Sequence, residues 1–327
     1  MREARVALIG CGQLGSRHLQ AVAKMKKKLK IQVVEPSDTA QNLAQKRLNE
    51  ISFSKKDVQV EWLKNIDGLD KISDLTIVAT TATERSKLIN KLLQFGHKFF
   101  LIEKMVCQSK KQYEGLLESF NRNKAKGWID CTRRYFPPYN RLIRLLKEEN
   151  PIVFNVTAGN LGLGCNAMHF LDLFSACIKG TIAIKLDGES LLPELLPNRR
   201  GKDLIEFAGT ITARIRDNFA SITFYPDNNA GITVNIFSKE RRIFLDEGKA
   251  KCFMATKADD WIWEDLDFKE LFTSELTTRI AESIITDKTC ELPTIEDLRS
   301  IHEELFRIFN QHIKSVTGRT VTLCPIT

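Results

Sequence analysis

The sequence predicts an α/β protein in which a doubly wound parallel sheet is followed by an α+β domain with an open, mainly antiparallel sheet. Three observations favour this fold class: strand-like and helical patterns alternate in the first half, a glycine-rich turn joins the first strand to the first helix, and short strand-like runs fill the second half. The 327 residues suffice for two domains of roughly 150 residues each. We place these domains at 1–127 and 128–327.

Compact apolar runs in the first half are typical of buried parallel strands. Each run is followed by a segment whose apolar residues recur at helical spacing, which indicates βαβ units. Strands are expected at 5–9, 31–34, 74–80 and 98–102, and helices at 16–25, 39–50, 84–95 and 108–124. The domain boundary is expected near Gly127, where the last of these helices has ended.

The second half changes to short strand-like runs separated by turn residues, which predicts an antiparallel meander. These runs lie at 153–158, 210–216, 220–224, 231–237, 241–246 and 250–254. Two helices are expected, at about 168–177 and at 295–317. The segment 294–297 has the pattern of a capping box before the last helix.

The net charge of +8 raises the question of a nucleic-acid partner. The basic residues are scattered, apart from the lysine run from Lys24 to Lys30, and lysines suit the C-terminus of the preceding helix. We therefore expect no nucleic-acid partner. A modestly basic surface attracts anionic small molecules such as sugar nucleotides.

The eight cysteines include no C-x-x-C pair, so the sequence predicts no metal site. The N-terminal residues lack the apolar core of a signal peptide, and we expect reduced thiols and a cytoplasmic protein. No apolar run approaches the ~20 residues that a membrane-spanning helix needs, so no membrane partner is expected.

The segment Gly10-Cys11-Gly12-Gln13-Leu14-Gly15 matches the pattern G-x-G-x-x-G between a predicted strand and a predicted helix. Gly10 would allow the tight turn, Gly12 would let a pyrophosphate approach the backbone, and Gly15 would let the helix pack closely on the strand. The free N–H groups of the helix N-terminus would then face the phosphate charge. This predicts a dinucleotide site that includes Gln13 and Leu14.

Glu35 ends the second predicted strand, 20 positions after Gly15. A carboxylate at this place binds the hydroxyls of the adenosine ribose and repels a ribose 2′-phosphate. We therefore predict NAD as the cofactor and consider NADP the weaker candidate. The alternative is that Glu35 is a solvated residue at a strand end.

Two more strand ends carry polar residues, at the edge of the sheet where ligands of doubly wound proteins bind. Thr80 and Thr81 offer hydroxyls beside a cofactor, and Glu103 and Lys104 follow the next predicted strand. A lysine there can donate a hydrogen bond to a substrate oxygen. The alternative for Glu103 and Lys104 is a surface ion pair.

Asn166, His169 and Asp172 are spaced three residues apart, so they share one face of a predicted helix. A histidine titrates near neutral pH and can relay protons between a substrate and its neighbours. The alternative is that His169 is a structural residue whose hydrogen bonds are satisfied within the core.

Taken together, these residues resemble the glucose–fructose oxidoreductase / inositol dehydrogenase / rhizopine catabolism family (Gfo/Idh/MocA). The resemblance covers most of the chain. It rests on the glycine loop, on Glu103-Lys104-Met105 in place of E-K-P, on an R-[RFY]-x-P-like stretch at 133–137, and on the H-x-x-D of His169 and Asp172. The resemblance implies that Lys104 and His169 act on the substrate hydroxyl beside the nicotinamide. It also implies a C-terminal open sheet used for oligomer contacts.

Three positions depart from the family pattern. Met105 replaces the usual proline, Cys165 stands where an aspartate is common, and Ala167 replaces a glycine. Asn166 is expected to supply polarity to the substrate pocket instead of an aspartate. Arg134 and Tyr135 are expected to line its far wall or to hold an anionic group, and the segment 159–166 resembles a branch associated with bacterial surface-sugar pathways.

The sequence thus predicts an NAD-dependent oxidoreductase that moves a hydride between the nicotinamide and a carbon of a carbohydrate or sugar nucleotide. Lys104 and His169 would exchange the hydroxyl proton, and Asp172 would orient His169 or bind a substrate hydroxyl. A homo-dimer or tetramer is expected. Two alternatives stay open: an NAD-binding sensor or assembly protein without redox activity, and a lyase or glycosidase that uses tightly bound NAD transiently.

Overall fold

The computed structural model describes residues 2–180, 183–268 and 273–327. The chain divides into two compact units. The first comprises Met1–Cys107, Lys111–Asp130 and Leu271–Glu296, and the second comprises Gln108–Lys110, Cys131–Glu270 and Asp297–Thr327. The first unit therefore contains a late segment that the sequence analysis places in the second domain.

A six-stranded parallel sheet forms the centre of the first unit, in the order β3-β2-β1-β4-β5-β6. Its strands are β1 (Ala4–Ile9), β2 (Leu29–Val34), β3 (Val58–Leu63), β4 (Leu75–Val78), β5 (Phe99–Ile102) and β6 (Lys126–Ile129). This is the strand order of a dinucleotide-binding sheet, and the order reverses between β1 and β4. Ligands of such sheets bind at the carboxyl ends of the strands beside that reversal.

Four helices connect these strands: α1 (Gly15–Ala23), α2 (Asp38–Asn49), α3 (Arg85–Phe95) and α4 (Lys110–Arg122). Each lies within three residues of its predicted bounds. The strands β3 and β6 were not predicted from the sequence. The edge strand β3 has mostly half-buried and exposed side chains, and β6 begins with an exposed lysine and a glycine, so neither forms an apolar run.

An eight-stranded mixed sheet forms the second unit, in the order β16-β15-β14-β13-β7-β12-β11-β8. Its strands are β7 (Val153–Gly159), β8 (Lys185–Asp187), β11 (Gly209–Ile215), β12 (Asn218–Tyr225), β13 (Thr233–Phe237), β14 (Arg241–Asp246), β15 (Lys251–Thr256) and β16 (Trp263–Leu266). A separate pair consists of β9 (Leu196–Pro197) and β10 (Ile205–Glu206). The sheet is antiparallel except where β7 runs parallel to β12, so it is not a simple meander.

The remaining helices are α5 (Pro137–Leu146), α6 (Leu163–Ala176), α7 (Thr273–Asp287) and α8 (Arg299–Thr317). Helix α6 begins five residues earlier than predicted, and α7 belongs to the first unit, where it packs against α1. The expected capping box at 294–297 is wrong. Thr294 pairs with Trp128, Ile295 donates its main-chain N–H to Gly127, and α8 starts only at Arg299.

These observations confirm the predicted fold class of a parallel doubly wound sheet followed by a mainly antiparallel one. Along β11 and β12, buried residues alternate with half-buried and exposed ones, so one face of the second sheet is open. In the part of the chain that the structure describes, no helix is both long enough and apolar enough to cross a membrane.

Candidate active site

The glycine loop lies at the strand-order reversal, between the end of β1 and the start of α1. Gly10 has φ +83°, which side chains rarely adopt, and a Cβ on Gly15 would lie 2.1 Å from the carbonyl oxygen of Gly10. A Cβ on Gly12 would meet no atom within 4 Å. The loop is therefore tightly packed on two sides and open over Gly12, where a pyrophosphate can approach the helix N-terminus.

Three hydrogen bonds from Arg47 on α2 hold this loop in place. The guanidinium of Arg47 donates to the carbonyl oxygen of Gln13 at 2.6 Å and to its side-chain oxygen at 2.6 Å. Arg47 also donates to the hydroxyl of Ser16 at 2.7 Å. The sequence analysis did not identify Arg47, because no local pattern links a residue on α2 to the preceding helix.

Glu35 is buried, with 8% of its surface exposed, so it is not a solvated strand end. Its Oε2 accepts from the main-chain N–H of Cys11 at 2.7 Å, and its Oε1 accepts from that of Ser37 at 3.0 Å. Each carboxylate oxygen has lone pairs left for a ribose hydroxyl. Burial, reinforced by the charge of Glu35, raises the pKa of the Cys11 thiol to about 12, so this loop cysteine stays protonated.

Thr80 follows β4, and its Oγ1 is buried and forms no hydrogen bond with the residues that the structure describes. A buried hydroxyl without a partner is uncommon and indicates a position where a ligand completes the hydrogen bond. Thr81, the next residue, is exposed. The open space over Gly12, the fixed carboxylate of Glu35 and the hydroxyl of Thr80 together fit a dinucleotide.

Lys104 follows β5 and is buried, with 4% of its surface exposed, so the alternative of a surface ion pair does not hold. The buried guanidinium of Arg85 donates to the main-chain oxygens of Glu103, at 2.5 Å, of Met105 and of Thr80. Arg85 therefore ties together the carboxyl ends of β4 and β5 on both sides of Lys104. The Lys104–Met105 peptide bond is cis.

A cluster of buried ionisable side chains lies beside Lys104. The Nε2 of His18 is 3.3 Å from Glu103 Oε1 and 3.6 Å from Asp130 Oδ2, and its Nδ1 is 2.8 Å from the hydroxyl of Thr277 on α7. Among the described residues, His18, Glu103 and Asp130 form the group of side chains whose atoms, all within 4.8 Å, lie close enough to share a cation.

The two carboxyls of this cluster titrate in opposite directions. Burial acts to raise the pKa of Glu103, but hydrogen bonds from His18 and Asp130 and the charges of His18 and Lys104 bring it below its usual value. Burial and the charge of Glu103 raise the pKa of Asp130 well above its usual value. The raised pKa of Asp130 and the lowered pKa of Glu103 favour a proton held between the two carboxyls, on Asp130.

In the second unit, the start of α6 is capped by a carboxylate that lies 41 residues further along the chain. Glu206 Oε2 accepts from the main-chain N–H of Cys165 at 3.2 Å. A Cβ on Gly162 would lie 2.1 Å from Glu206, and one on Gly164 would lie 2.9 Å from it. The two glycines of this segment are therefore required to admit Glu206. Asn166 donates to the carbonyl oxygen of Gly162 at 3.1 Å.

Asp172 is fully buried on α6, and both of its oxygens accept from Arg134, at 2.8 and 2.5 Å. Burial raises the pKa of Asp172 above its usual value, although the charge of Arg134 opposes the rise. This bidentate contact joins α6 to the short helical turn that carries Arg134 and the buried Tyr135.

The structure thus brings together the cofactor residues predicted from the sequence, all within the first unit. His169 is half-buried on α6 in the second unit, whereas Lys104 belongs to the first. Their pairing at one substrate stays a prediction.

The first unit defines a dinucleotide-binding domain of the Rossmann type. Residues 4–130 match the family model described as oxidoreductase family, NAD-binding Rossmann fold (Gfo/Idh/MocA). Over this domain, about two fifths of its length, the chain is similar to the Gfo/Idh/MocA oxidoreductases. The match agrees with the predicted resemblance over residues 4–130 and with the prediction of an NAD-binding fold there.

Solved structures with a similar fold cover nearly the whole chain. UDP-N-acetylglucosamine 3-dehydrogenase from Acidithiobacillus ferrooxidans is 14% identical, with a TM-score of 0.72 over 94% of this chain and 97% of that one. A levoglucosan dehydrogenase in complex with NADH and levoglucosan is 14% identical, with a TM-score of 0.71 over 99% and 100%. A super-repressor mutant of Gal80p from Saccharomyces cerevisiae is 14% identical, with a TM-score of 0.68 over 98% of both chains. At these identities the likeness is one of fold. A comparison with curated protein sequences gives no significant match.

Proposed function

We propose that this protein is an NAD-dependent dehydrogenase that oxidises a hydroxyl-bearing carbon of a carbohydrate or sugar nucleotide, or reduces the matching carbonyl. The observation that carries the proposal is the first unit's site, where open space over Gly12 adjoins the fixed carboxylate of Glu35. The dehydrogenases of similar fold, which act on UDP-N-acetylglucosamine and levoglucosan, support a carbohydrate substrate.

NAD, when bound, supplies the hydride acceptor at its nicotinamide ring. Lys104 donates a hydrogen bond to the substrate oxygen, and Arg85 fixes the backbone on both sides of that lysine. His169 takes the hydroxyl proton during oxidation and returns it during reduction. Because Arg134 occupies both oxygens of Asp172, we assign Asp172 to holding α6, and thereby His169, in position. Tyr135 and Asn166 remain candidates for substrate contacts.

The test begins with NADH binding, followed by a screen of sugars and sugar nucleotides with NAD for absorbance at 340 nm. With an active substrate, Lys104→Ala and His169→Ala should each lower turnover by about 10²–10⁴-fold, since general acid–base groups contribute that much. Their affinity for NADH should stay unchanged. A His169→Ala variant that only melts at a lower temperature and turns over normally would make His169 structural.

A second candidate function is an NAD-binding sensor without redox turnover. The similarity in fold to Gal80p, a repressor, favours this candidate. A sensor would bind NADH through the same first-unit residues but would reduce no NAD with any screened compound. Lys104→Ala and His169→Ala would then change neither NADH affinity nor any measurable rate.

We further propose that the protein works in the cytoplasm as a homo-dimer or tetramer. All eight cysteines are free thiols, which suits a reducing compartment. The open face of the second sheet carries the exposed side chains of Val153, Tyr225 and Phe237, which suit burial against a second copy. Light scattering after size exclusion measures the assembly, and a mass equal to one chain, 37.3 kDa, would contradict it.

A further inference from the structure

A cavity of about 540 Å³ opens at the start of α6, entirely within the second unit. Its size falls within the roughly 300–1,000 Å³ that is usual for small-molecule sites. The wall of the cavity includes the polar or charged side chains of Cys165, Asn166, Asn198, Arg199, Arg200 and Glu206. We propose that this cavity binds the anionic group, a phosphate or a carboxylate, of a charged carbohydrate.

The positive charge of the cavity comes from two neighbouring arginines. Arg199 is exposed and forms neither a hydrogen bond nor an ion pair with the residues that the structure describes. The side chain of Arg200 makes one long hydrogen bond, 3.4 Å, to the main-chain oxygen of Thr327. The guanidinium of Arg199 is therefore available to a ligand, and that of Arg200 keeps N–H donors that its contact with Thr327 does not use. Arginine matches the geometry of phosphate and carboxylate oxygens.

The one carboxylate of the wall is already engaged elsewhere. Glu206 is buried, its Oε2 accepts from the main-chain N–H of Cys165, and its Oε1 accepts from Asn198 Nδ2 at 3.0 Å. The described structure shows no ion pair between Glu206 and either arginine. Glu206 thus fixes the wall through Cys165 and Asn198 and uses no N–H donor of Arg199 or Arg200.

Cys165 is an uncharged residue of the wall, and its thiol donates to the main-chain oxygen of Thr327 at 3.0 Å. A carboxylate at this place would add a second negative charge beside Glu206 and would repel an anionic ligand. The uncharged Cys165 and the two arginines therefore all favour binding of an anion.

The inference rests on the proposed function and refines it, because the cavity adjoins the helix that carries His169. Asn166 lines the cavity and precedes His169 by three residues, which is about one helical turn, or ~5 Å along the axis. A group bound by the arginines would hold the carbohydrate close to His169. The dehydrogenase would then select charged over neutral sugars.

The experiment measures binding of three anionic probes, inorganic pyrophosphate, glucose 6-phosphate and glucuronate, with glucose as the neutral comparison. Isothermal titration is performed with the protein saturated with NADH, so that the glycine loop cannot take the pyrophosphate. We expect at least one anionic probe to bind the wild-type protein, and the phosphate and carboxylate arms show which anion is preferred. Glucose should bind at least tenfold more weakly than glucuronate or glucose 6-phosphate.

The double variant Arg199→Ala/Arg200→Ala should weaken binding of the anionic probe at least tenfold. A control that removes two exposed arginines away from the cavity, Arg122→Ala/Arg319→Ala, should leave it unchanged. Cys165→Asp should weaken it as well. Equal binding by the double variant and the wild type, or no binding by any anionic probe, would overturn the inference. NADH affinity is measured separately and tests the proposed function, so loss of the anion site and loss of the cofactor site can be distinguished.

Discussion

Two glycine-containing turns lead into helices in this molecule, one at α1 and one at α6. The first leaves open space at the helix N-terminus, whereas the second has a carboxylate there. At α1 no acidic residue lies in the first turn, no side chain caps the helix, and the space over Gly12 is open. At α6 the space beside Gly162 is filled by the carboxylate of Glu206, which accepts a main-chain N–H of the helix.

The difference teaches that glycine spacing alone does not define a phosphate site. In both turns the glycines have no side chain, so a negatively charged group can reach the free N–H groups of the helix. The first leaves that place to a ligand, whereas the second gives it to a residue of the chain itself. Substituting the glycines should therefore separate binding from stability.

Gly12→Val should have the largest effect, and on binding alone. Its side chain would enter the open space over the loop, which a pyrophosphate needs, and its Cβ would meet no atom within 4 Å. We expect NADH affinity to fall at least 100-fold, about 2.7 kcal/mol at about 1.4 kcal/mol per factor of ten, with an unchanged melting temperature. Fluorescence titration measures this, and Gly248→Val in an open turn of the second unit is the control. Unchanged affinity in a folded variant would remove the loop from the cofactor site.

Gly162→Ala should show the reverse pattern. The new Cβ would lie 2.1 Å from Glu206 and would displace its carboxylate from the start of α6. Leaving a buried polar group without its partners costs roughly 1–3 kcal/mol, so the free energy of unfolding should fall by about that much. NADH affinity should not change.

The matched control for Gly162→Ala is Gly115→Ala within α4, where a Cβ meets no atom within 4 Å. There the alanine should stabilise the helix by about 0.5–1 kcal/mol. Urea unfolding of both variants gives the two free energies. Equal effects at the two positions would mean that Glu206 adapts without cost.

Two buried carboxyl groups, those of Glu206 and Asp130, are also stabilised in different ways. Glu206 accepts a hydrogen bond from a helix N–H, whereas burial and the charge of Glu103 raise the pKa of Asp130 and favour its protonated form. A folded state that binds more protons than the unfolded one loses stability as pH rises from the unfolded pKa, about 3.9, toward the raised folded pKa.

Asp130→Asn removes this titration and keeps a donor for Glu103. We expect the melting temperature of this variant, relative to the wild type, to rise between pH 4 and pH 8. Asp217→Asn, an exposed position, should show no such trend. If the difference in melting temperature between Asp130→Asn and the wild type stays constant from pH 4 to pH 8, Asp130 is ionised in the folded protein.

The candidate cofactor residues can be identified from the sequence because the patterns that mark them are local. The glycine loop and Glu35 occupy fixed spacings within one βαβ unit, and the run that ends at Glu103 and Lys104 is a buried apolar strand. Gly162 and Gly164 lie in the segment 159–166, but the structural reason for these glycines is Glu206, more than 40 residues away. Such a contact depends on the fold of the second sheet and leaves no periodic signal.

Other residues were missed for the same physical reason. Arg85 resembles any charged residue at the start of a helix, yet it is fully buried among three main-chain oxygens. Thr294 was predicted to cap α8, but it pairs with Trp128 of β6 instead. Competition between a local cap and a distant strand is decided by tertiary packing, which overrides local propensity.

The smallest expected effect concerns the choice between NAD and NADP, and it tests whether Glu35 does more than brace the loop. Its carboxylate accepts from Cys11 and Ser37, so part of its role is structural. If Glu35 also repels a 2′-phosphate, Glu35→Ser should bind NADH more weakly than the wild type does and NADPH equally well or more tightly. The preference for NADH over NADPH should then narrow by about tenfold, or ~1.4 kcal/mol. Titrating both reduced cofactors into wild type and variant measures the ratio. Glu35→Gln keeps the acceptor for the Cys11 N–H without the charge, so a narrowed ratio in this variant too would assign the preference to charge. Loss of both affinities in parallel would leave Glu35 a purely structural brace of the glycine loop.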